Sequence, residues 1–276
     1  MGLLEAICGL FSYAFLVRAL IVGLLVALCA SILGVSLVLK RFSMIGDGLS
    51  HVGFGSLAVA TAFGWAPLAV SIPVVMLAAF LLLRLSERGR IKGDAAIALI
   101  SASALAIGIF IVSKTTGMNT DVDNYLFGSI LALTPADVVL SVILSLVVLV
   151  VFILFYHRIF AVTFDEPYAR ATGMRVGLYN TALALLTALT IVLGMRMAGA
   201  LLISSLVIFP ALSAMWLCKR FLSVTLCAAA ISLGCYAVGL LVSFAWQTPT
   251  GASIVLANLA VFLVFYLLHR LWQVNH

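Results

Sequence analysis

Asp47 and His51 lie four residues apart in RFSMIGDGLSHVGFGSLAVA, inside an otherwise apolar stretch. On a helix, positions i and i+4 share a face, so a carboxylate and an imidazole there point into the same space. An ionised side chain in the middle of a membrane helix costs about 3 kcal/mol on insertion scales, and such residues usually face a polar pathway. Imidazole with carboxylate suits zinc, manganese or iron(II). Two ligands do not complete a metal shell, so the rest must come from water, another helix or a second subunit. The plainer alternative is an Asp–His hydrogen bond that holds the start of a span near the cytoplasmic surface. Glycines 46, 48, 53 and 55 surround the pair and let a second helix, or a hydrated cation, come close.

Few other residues compete for this role. The chain has nine Asp and Glu, and eight of them fall in loops or at the edges of apolar runs; Asp47 is the exception. His51 is likewise the one histidine of four inside such a run, since His157, His269 and His276 lie at run ends. Asp121 and Asp123 read as solvated loop acids that could also draw cations to an entrance. Met195, Arg196 and Met197 read as a tight external turn. Residues 194–205, GMRMAGALLISS, carry small residues that suit close helix packing. No GxxxxGK[ST], HExxH, GxSxG or cofactor fingerprint occurs, so no covalent chemistry is expected of this chain and no cofactor is expected to reside in it.

The elements that must position the pair follow from composition. Of 276 residues, 65% are hydrophobic and 9% charged, against about 45–50% and about 25% in soluble domains. The mean hydropathy is +1.32. These values exclude a soluble enzyme, a disordered chain and a nucleic-acid-binding domain. A membrane crossing needs about 20 apolar residues. Stretches of that kind occupy 18–39, 44–63, 66–84, 94–113, 136–158, 177–195, 198–217, 222–245 and 252–270. A lipid-buried segment must satisfy its own backbone, so each is expected to be helical. The expected fold is all-α, a single polytopic domain over 1–276 with eight or nine membrane helices. The five cysteines, Cys8, Cys29, Cys218, Cys227 and Cys235, form no CxxC pair and read as small packing residues. The N-terminus lacks the basic region and cleavage site of a signal peptide. Residues 1–17 could form an interfacial helix.

Charge sets the orientation. With 40–43, 84–93, 158–176, 218–221 and the C-terminus placed in the cytoplasm, twelve of the fifteen Lys and Arg lie there. Arg18, Lys114 and Arg196 lie on the other side. Basic residues are retained in cytoplasmic loops, so the C-terminus is expected inside and the N-terminus outside. Two loops stand out. An external segment at 115–135 holds the short apolar run NYLFGSILAL. The cytoplasmic stretch at 164–176 opens on Asp165-Glu166-Pro167, with acids at the positive end of a helix and Pro in its first turn, and Gly173 suits its end. A helix of about two turns is expected there.

Three segments in order resemble one family, the permease subunits of bacterial ABC importers for zinc and manganese. They are VLKRFSMIGDGLSHVGFGSLAV, YLFGSILALTPAD, and FDEPYARATGMRVGLYN continuing through LTALTIVLGMRMAGALLISSLVIFPALSA with Pro210. The match in order and spacing covers nearly the whole chain. The resemblance implies a fold like the permeases of vitamin-B12-type importers, set in the bacterial plasma membrane. It implies a homodimer, two cytoplasmic ATPase subunits that bind the ATP, and an extracytoplasmic metal-binding protein. It carries the role of cation ligand to Asp47 and His51. It carries ATPase docking to Phe164, Asp165, Glu166, Pro167, Tyr168, Ala169, Arg170, Ala171, Thr172 and Gly173. The run GDGLSHVGFGSLAV is slightly closer to zinc members, so Zn²⁺ is the expected cargo and Mn²⁺ or Fe²⁺ the alternative.

The resemblance implies that the binding protein releases an ion to the Asp47–His51 pair and that ATP hydrolysis in the partners moves the cytoplasmic helix. Neutral imidazole binds metal and imidazolium does not, so acidification should slow transport. Ligation must stay incomplete, because a closed four-ligand shell would trap the ion. The rivals are a secondary metal transporter, a membrane scaffold or sensor, and an ABC permease for a metal chelate. Co-purification of an ATPase subunit separates the first from the expected reading.

Overall fold

Eleven helices account for the regular structure of the residues described by the computed structural model, 14–87, 93–115 and 134–274. They are α1 (Ala14–Leu39), α2 (Ile45–Ala62), α3 (Pro67–Glu87), α4 (Gly93–Lys114), α5 (Pro135–Leu154), α6 (Tyr156–Phe164), α7 (Glu166–Ala171), α8 (Val176–Ala198), α9 (Ala200–Leu217), α10 (Phe221–Trp246) and α11 (Thr250–Val274). Most of the expected external segment, and residues 1–13 of the expected interfacial helix, lie outside the described residues.

Every expected span falls on a helix, but among the described residues only seven helices are long and apolar enough to cross a membrane by composition alone. The two exceptions are instructive. α9 is apolar throughout its 18 residues, but only Leu202–Leu217 enters this count. α2 carries Asp47, His51 and four glycines, yet much of its surface is buried against α3, α4, α8 and α9. A helix walled in by other helices meets little lipid, so its composition is released from the apolar requirement. The expected span at 136–158 is divided. α5 stops at Leu154 and α6 starts at Tyr156, with Phe155 between them at φ −99° and ψ 11°.

Capping chemistry explains several boundaries. Thr134 and Asp137 form a reciprocal capping box at the start of α5, each backbone N–H donating to the other's side chain at 3.2 Å, with Pro135 at the first helical position. Between α8 and α9 the break falls at Gly199, with φ 83°. Met195, Arg196 and Met197 are therefore helical and not a turn. The chain turns only at a residue that accepts positive φ without steric cost.

α1 runs through the packed interior and touches α5, α6, α8, α9 and α10. Hydrophobic burial does not drive helix association in lipid, so packing and interhelical hydrogen bonds must. Both are present. Tyr236 Oη donates to the Ala19 carbonyl at 3.0 Å and Ser232 Oγ to the Ala27 carbonyl at 2.9 Å, tying α10 to α1. Gly34 of α1 lies so close to α9 that a Cβ there would stand 2.1 Å from the Val207 carbonyl oxygen.

Candidate functional site

The sharp turn after α1 places the first candidate site. Arg41 takes the left-handed conformation at φ 61°. Its N–H donates to the Val38 carbonyl at 3.0 Å, and the Phe42 N–H donates to the Leu37 carbonyl at 2.9 Å. This is a Schellman motif with arginine in the place usually held by glycine. The left-handed conformation costs a non-glycine residue about 1–2 kcal/mol. The turn delivers the chain into α2 at Ile45, so Asp47 stands in the first turn, where the helix dipole favours a carboxylate.

His51 Nε2 and Asp47 Oδ2 are 3.7 Å apart. A hydrogen bond would hold them at about 2.7–3.2 Å, so the plain Asp–His hydrogen bond is not made. Both side chains retain access, the Asp47 side chain at 46% and the His51 side chain at 24% exposure. The Nδ1 atom of His51 is buried with no hydrogen-bond partner. The gap between the two groups is one that a single ion, about 2.0–2.2 Å from each ligand atom, can bridge. Among the described residues, no three or more His, Cys, Asp and Glu cluster to hold a metal ion. Asp121 and Asp123 lie outside the described residues.

The four glycines around the pair face protein. Gly46 faces Ser204 of α9, Gly48 faces Ile97 of α4, and Gly53 faces Met195 of α8. At Gly55 a Cβ would come 2.6 Å from the Ala104 carbonyl oxygen, and at Gly108 one would come 2.9 Å from the Gly55 Cα. The glycines thus admit neighbouring helices on the other faces of α2. Beyond His51, α2, α3 and α4 enclose a 180 Å³ groove with an almost wholly apolar lining, including Val52, Val59, Val70 and Ile107. The charged pair stands at the cytoplasm-expected end of an apolar lining.

The second candidate region is the expected cytoplasmic helix. Phe164 ends α6, and Asp165 alone separates α6 from α7. The Tyr168 N–H donates to Asp165 Oδ1 at 2.9 Å, and Pro167 occupies the first turn. Gly173, at φ 82°, closes the helix; its N–H donates to the Arg170 carbonyl and the Met174 N–H to the Ala169 carbonyl. α7 has six residues, slightly under two turns. Ala169 is buried against Val162 and Val176, and the Thr172 hydroxyl donates back to the Ala169 carbonyl at 2.9 Å. Phe164 and Tyr168 are exposed at 59% and 64%.

Glu166 gathers the charge of this region. Arg170 Nη2 donates to Glu166 Oε1 at 2.8 Å, and Lys40 Nζ stands 3.6 Å from Glu166 Oε2. Lys40 also donates to Asn180 Oδ1 in α8. Burial alone would raise the Glu166 pKa. The Arg170 hydrogen bond and the Lys40 charge outweigh it and hold the carboxyl below its usual 4.5. Sequence reasoning counted Lys40 only toward orientation and passed over Asn180. A lone Asn at the start of an otherwise apolar helix was the available signal.

Comparisons with known proteins agree over almost the full length. The profile of the ABC 3 transport family matches residues 12–269. The manganese import system permease protein ScaB of Streptococcus gordonii is 31% identical over 262 residues, covering 95% of this chain and 94% of its own. The solved structure of PsaBC from Streptococcus pneumoniae in complex with Fab is 29% identical with a TM-score of 0.86, covering 96% of this chain and 95% of its own. A metal-chelate type ABC transporter in an inward-facing conformation is 15% identical with a TM-score of 0.76, over 91% and 85%. This last likeness speaks to fold alone and agrees with the expected permease architecture.

Proposed function

The chain belongs to the ABC 3 transport family, and from that premise we propose that it is the membrane-spanning subunit of an ATP-driven importer of manganese. It is a transport subunit and not an enzyme. The observation that carries the cargo class is the open Asp47–His51 pair, 3.7 Å apart with both side chains partly exposed. A carboxylate and an imidazole that leave remaining positions to water suit Mn²⁺. The relative from Streptococcus gordonii bears the name of a manganese import permease. Manganese therefore displaces the zinc expected from the run around Asp47, and zinc becomes the alternative.

In this reading two copies of the chain form the pathway and each contributes one Asp47–His51 pair. Two ligands per chain bind an ion without enclosing it, which permits release. Two ATPase subunits dock on Phe164–Gly173, where the exposed Phe164 and Tyr168 offer apolar anchors beside the charges of α7. An extracytoplasmic binding protein delivers the ion. In this reading the chain sits in a bacterial plasma membrane, and the distribution of basic residues supports a C-terminus inside and an N-terminus outside.

The test is uptake of radioactive manganese and zinc by cells lacking their own importers. The chain is expressed with its ATPase and binding protein, beside Asp47→Ala and His51→Ala variants of equal membrane abundance. Manganese uptake lost in both variants is the expected result. Uptake of zinc alone would overturn the metal. Unimpaired uptake in both variants would remove Asp47 and His51 from the pathway.

A further inference from the structure

Lys40 occupies an unusual position. Its side chain is 9% exposed, its Nζ lies 3.6 Å from Glu166 Oε2, and it donates to Asn180 Oδ1. Three elements meet at this ammonium: the turn between α1 and α2, the short helix α7, and the start of α8. A largely buried charge is costly unless paired, and removing one partner strands the other. Separating α7 from Lys40 would take away the ammonium's carboxylate and leave it the neutral Asn180, so the turn is favoured to follow α7.

The turn is suited to pass such a displacement on. Its Schellman hydrogen bonds and the left-handed Arg41 fix its shape. Only six residues lie between Lys40 and Asp47, and the last two, Ile45 and Gly46, are already helical. A cleft of 410 Å³, lined by Lys40, Phe42, Ser86, Glu166 and Asn180 among others, flanks the joint and leaves room for it to shift.

We infer that Lys40 and Glu166 form the mechanical joint that carries movement of α7 into α2, and so to the Asp47–His51 pair. They are positioning residues that touch no cargo. The inference rests on the transport reading above in taking α7 as the element the ATPase moves. It differs from that reading in naming the route by which the movement reaches the site.

The experiment uses the intact complex of permease, ATPase and binding protein in lipid. The five native cysteines are replaced, and a single cysteine is placed by Met44→Cys, a 54% exposed position at the start of α2. Its labelling rate is measured without nucleotide and with trapped ATP, in the parent and in Lys40→Met, Glu166→Gln and the double variant. Nucleotide should change the parent rate about fivefold or more, the lower end of common coupling strengths. Each single variant should reduce that change to under about twofold, and the double variant should do no worse than either single one. Lys40→Arg, which keeps the charge, should keep most of the change. ATP hydrolysis should persist in Lys40→Met, because Lys40 lies outside the docking segment.

A parent rate that ignores nucleotide overturns the inference, and so does a nucleotide response that survives in Lys40→Met. Additive losses in the double variant also overturn it, since they mean that the two residues act separately. Loss of hydrolysis together with the response would reduce Lys40 to a purely structural role. Because labelling does not involve cargo, a complex that responds to nucleotide but imports no manganese would sink the cargo reading and leave the joint standing.

Discussion

Among the described residues, two acid–base pairs stand at helical i, i+4 spacing, and they are built in opposite ways. Glu166 and Arg170 are closed at 2.8 Å, with Lys40 and Asn180 completing a local network. Asp47 and His51 stand open at 3.7 Å, with the imidazole Nδ1 unpartnered. The same spacing in sequence therefore yields a satisfied joint in one place and an unsatisfied one in the other. Satisfied charges resist change of partner and hold elements together. Unsatisfied ones keep binding capacity for a ligand that must come and go. In the proposed reading, the first pair steadies Glu166 for its contact with Lys40, and the second stays open to bind an ion.

The largest effect should come from the open pair. Asp47→Asn and His51→Ala should each cut manganese uptake by about 10–100-fold, as loss of even a supporting group does in metal sites. Their thermal unfolding in detergent should stay within about 1 kcal/mol of the parent, since no hydrogen bond is lost and Asp47→Asn gives up only the favourable helix dipole. A loss of about 2 kcal/mol in both, with uptake falling only in step with abundance, would erase the contrast.

Next comes Gly173→Ala. The position has φ 82° and open space around it, so the cost is backbone strain of about 1–2 kcal/mol and not a clash. Retention of the ATPase on a permease column should weaken by about tenfold if the strain falls on α7 docking. Unchanged retention would mean that the closing turn of α7 does not matter to the partner.

A smaller effect is expected of Glu166→Gln, about 0.5–1 kcal/mol at neutral pH, the range of partly exposed pairs. The sign with pH follows from the lowered pKa. The contribution is complete above pH 4.5 and is lost as pH falls through the depressed value. Unfolding curves of parent and variant should therefore converge in acid. A gap that persists there would show that the charge of Glu166 is not what stabilises the joint.

The smallest effect should be a gain. Arg41→Gly removes left-handed strain but loosens the unfolded chain, so a few tenths of a kcal/mol in stability should remain. If Arg41→Gly also lowers the nucleotide response at Met44→Cys, stiffness of the turn is part of the joint.

What could be read in the sequence was local. Asp165, Pro167 and Gly173 announce α7 because caps act within a turn of their own position. Asp47 and His51 are legible because i, i+4 spacing is set by helix geometry alone. The Lys40–Asn180 contact spans 140 residues, and no local rule reaches that far. The break at Phe155 carries no Gly or Pro to mark it. Met195–Met197 read as a turn because they fall between the apolar stretches 177–195 and 198–217, whereas the helix continues through them and the positive φ falls at Gly199. The seven-span composition count had the same origin. Hydropathy reports contact with lipid, and α2 is mostly in contact with protein.

Asp165 serves as the last boundary of α6 and the first of α7 at once. A connection one residue long has two torsions, here φ −142° and ψ 87°, and nothing else to absorb a twist. α6 and α7 therefore behave as a bell crank with its pivot at Asp165. The far arm is loaded, because Phe160 and Phe164 lie in ring contact with Phe221 at the start of α10. Any twist of α7 would therefore be passed through α6 and these rings to the start of α10, with no loop between to dissipate it.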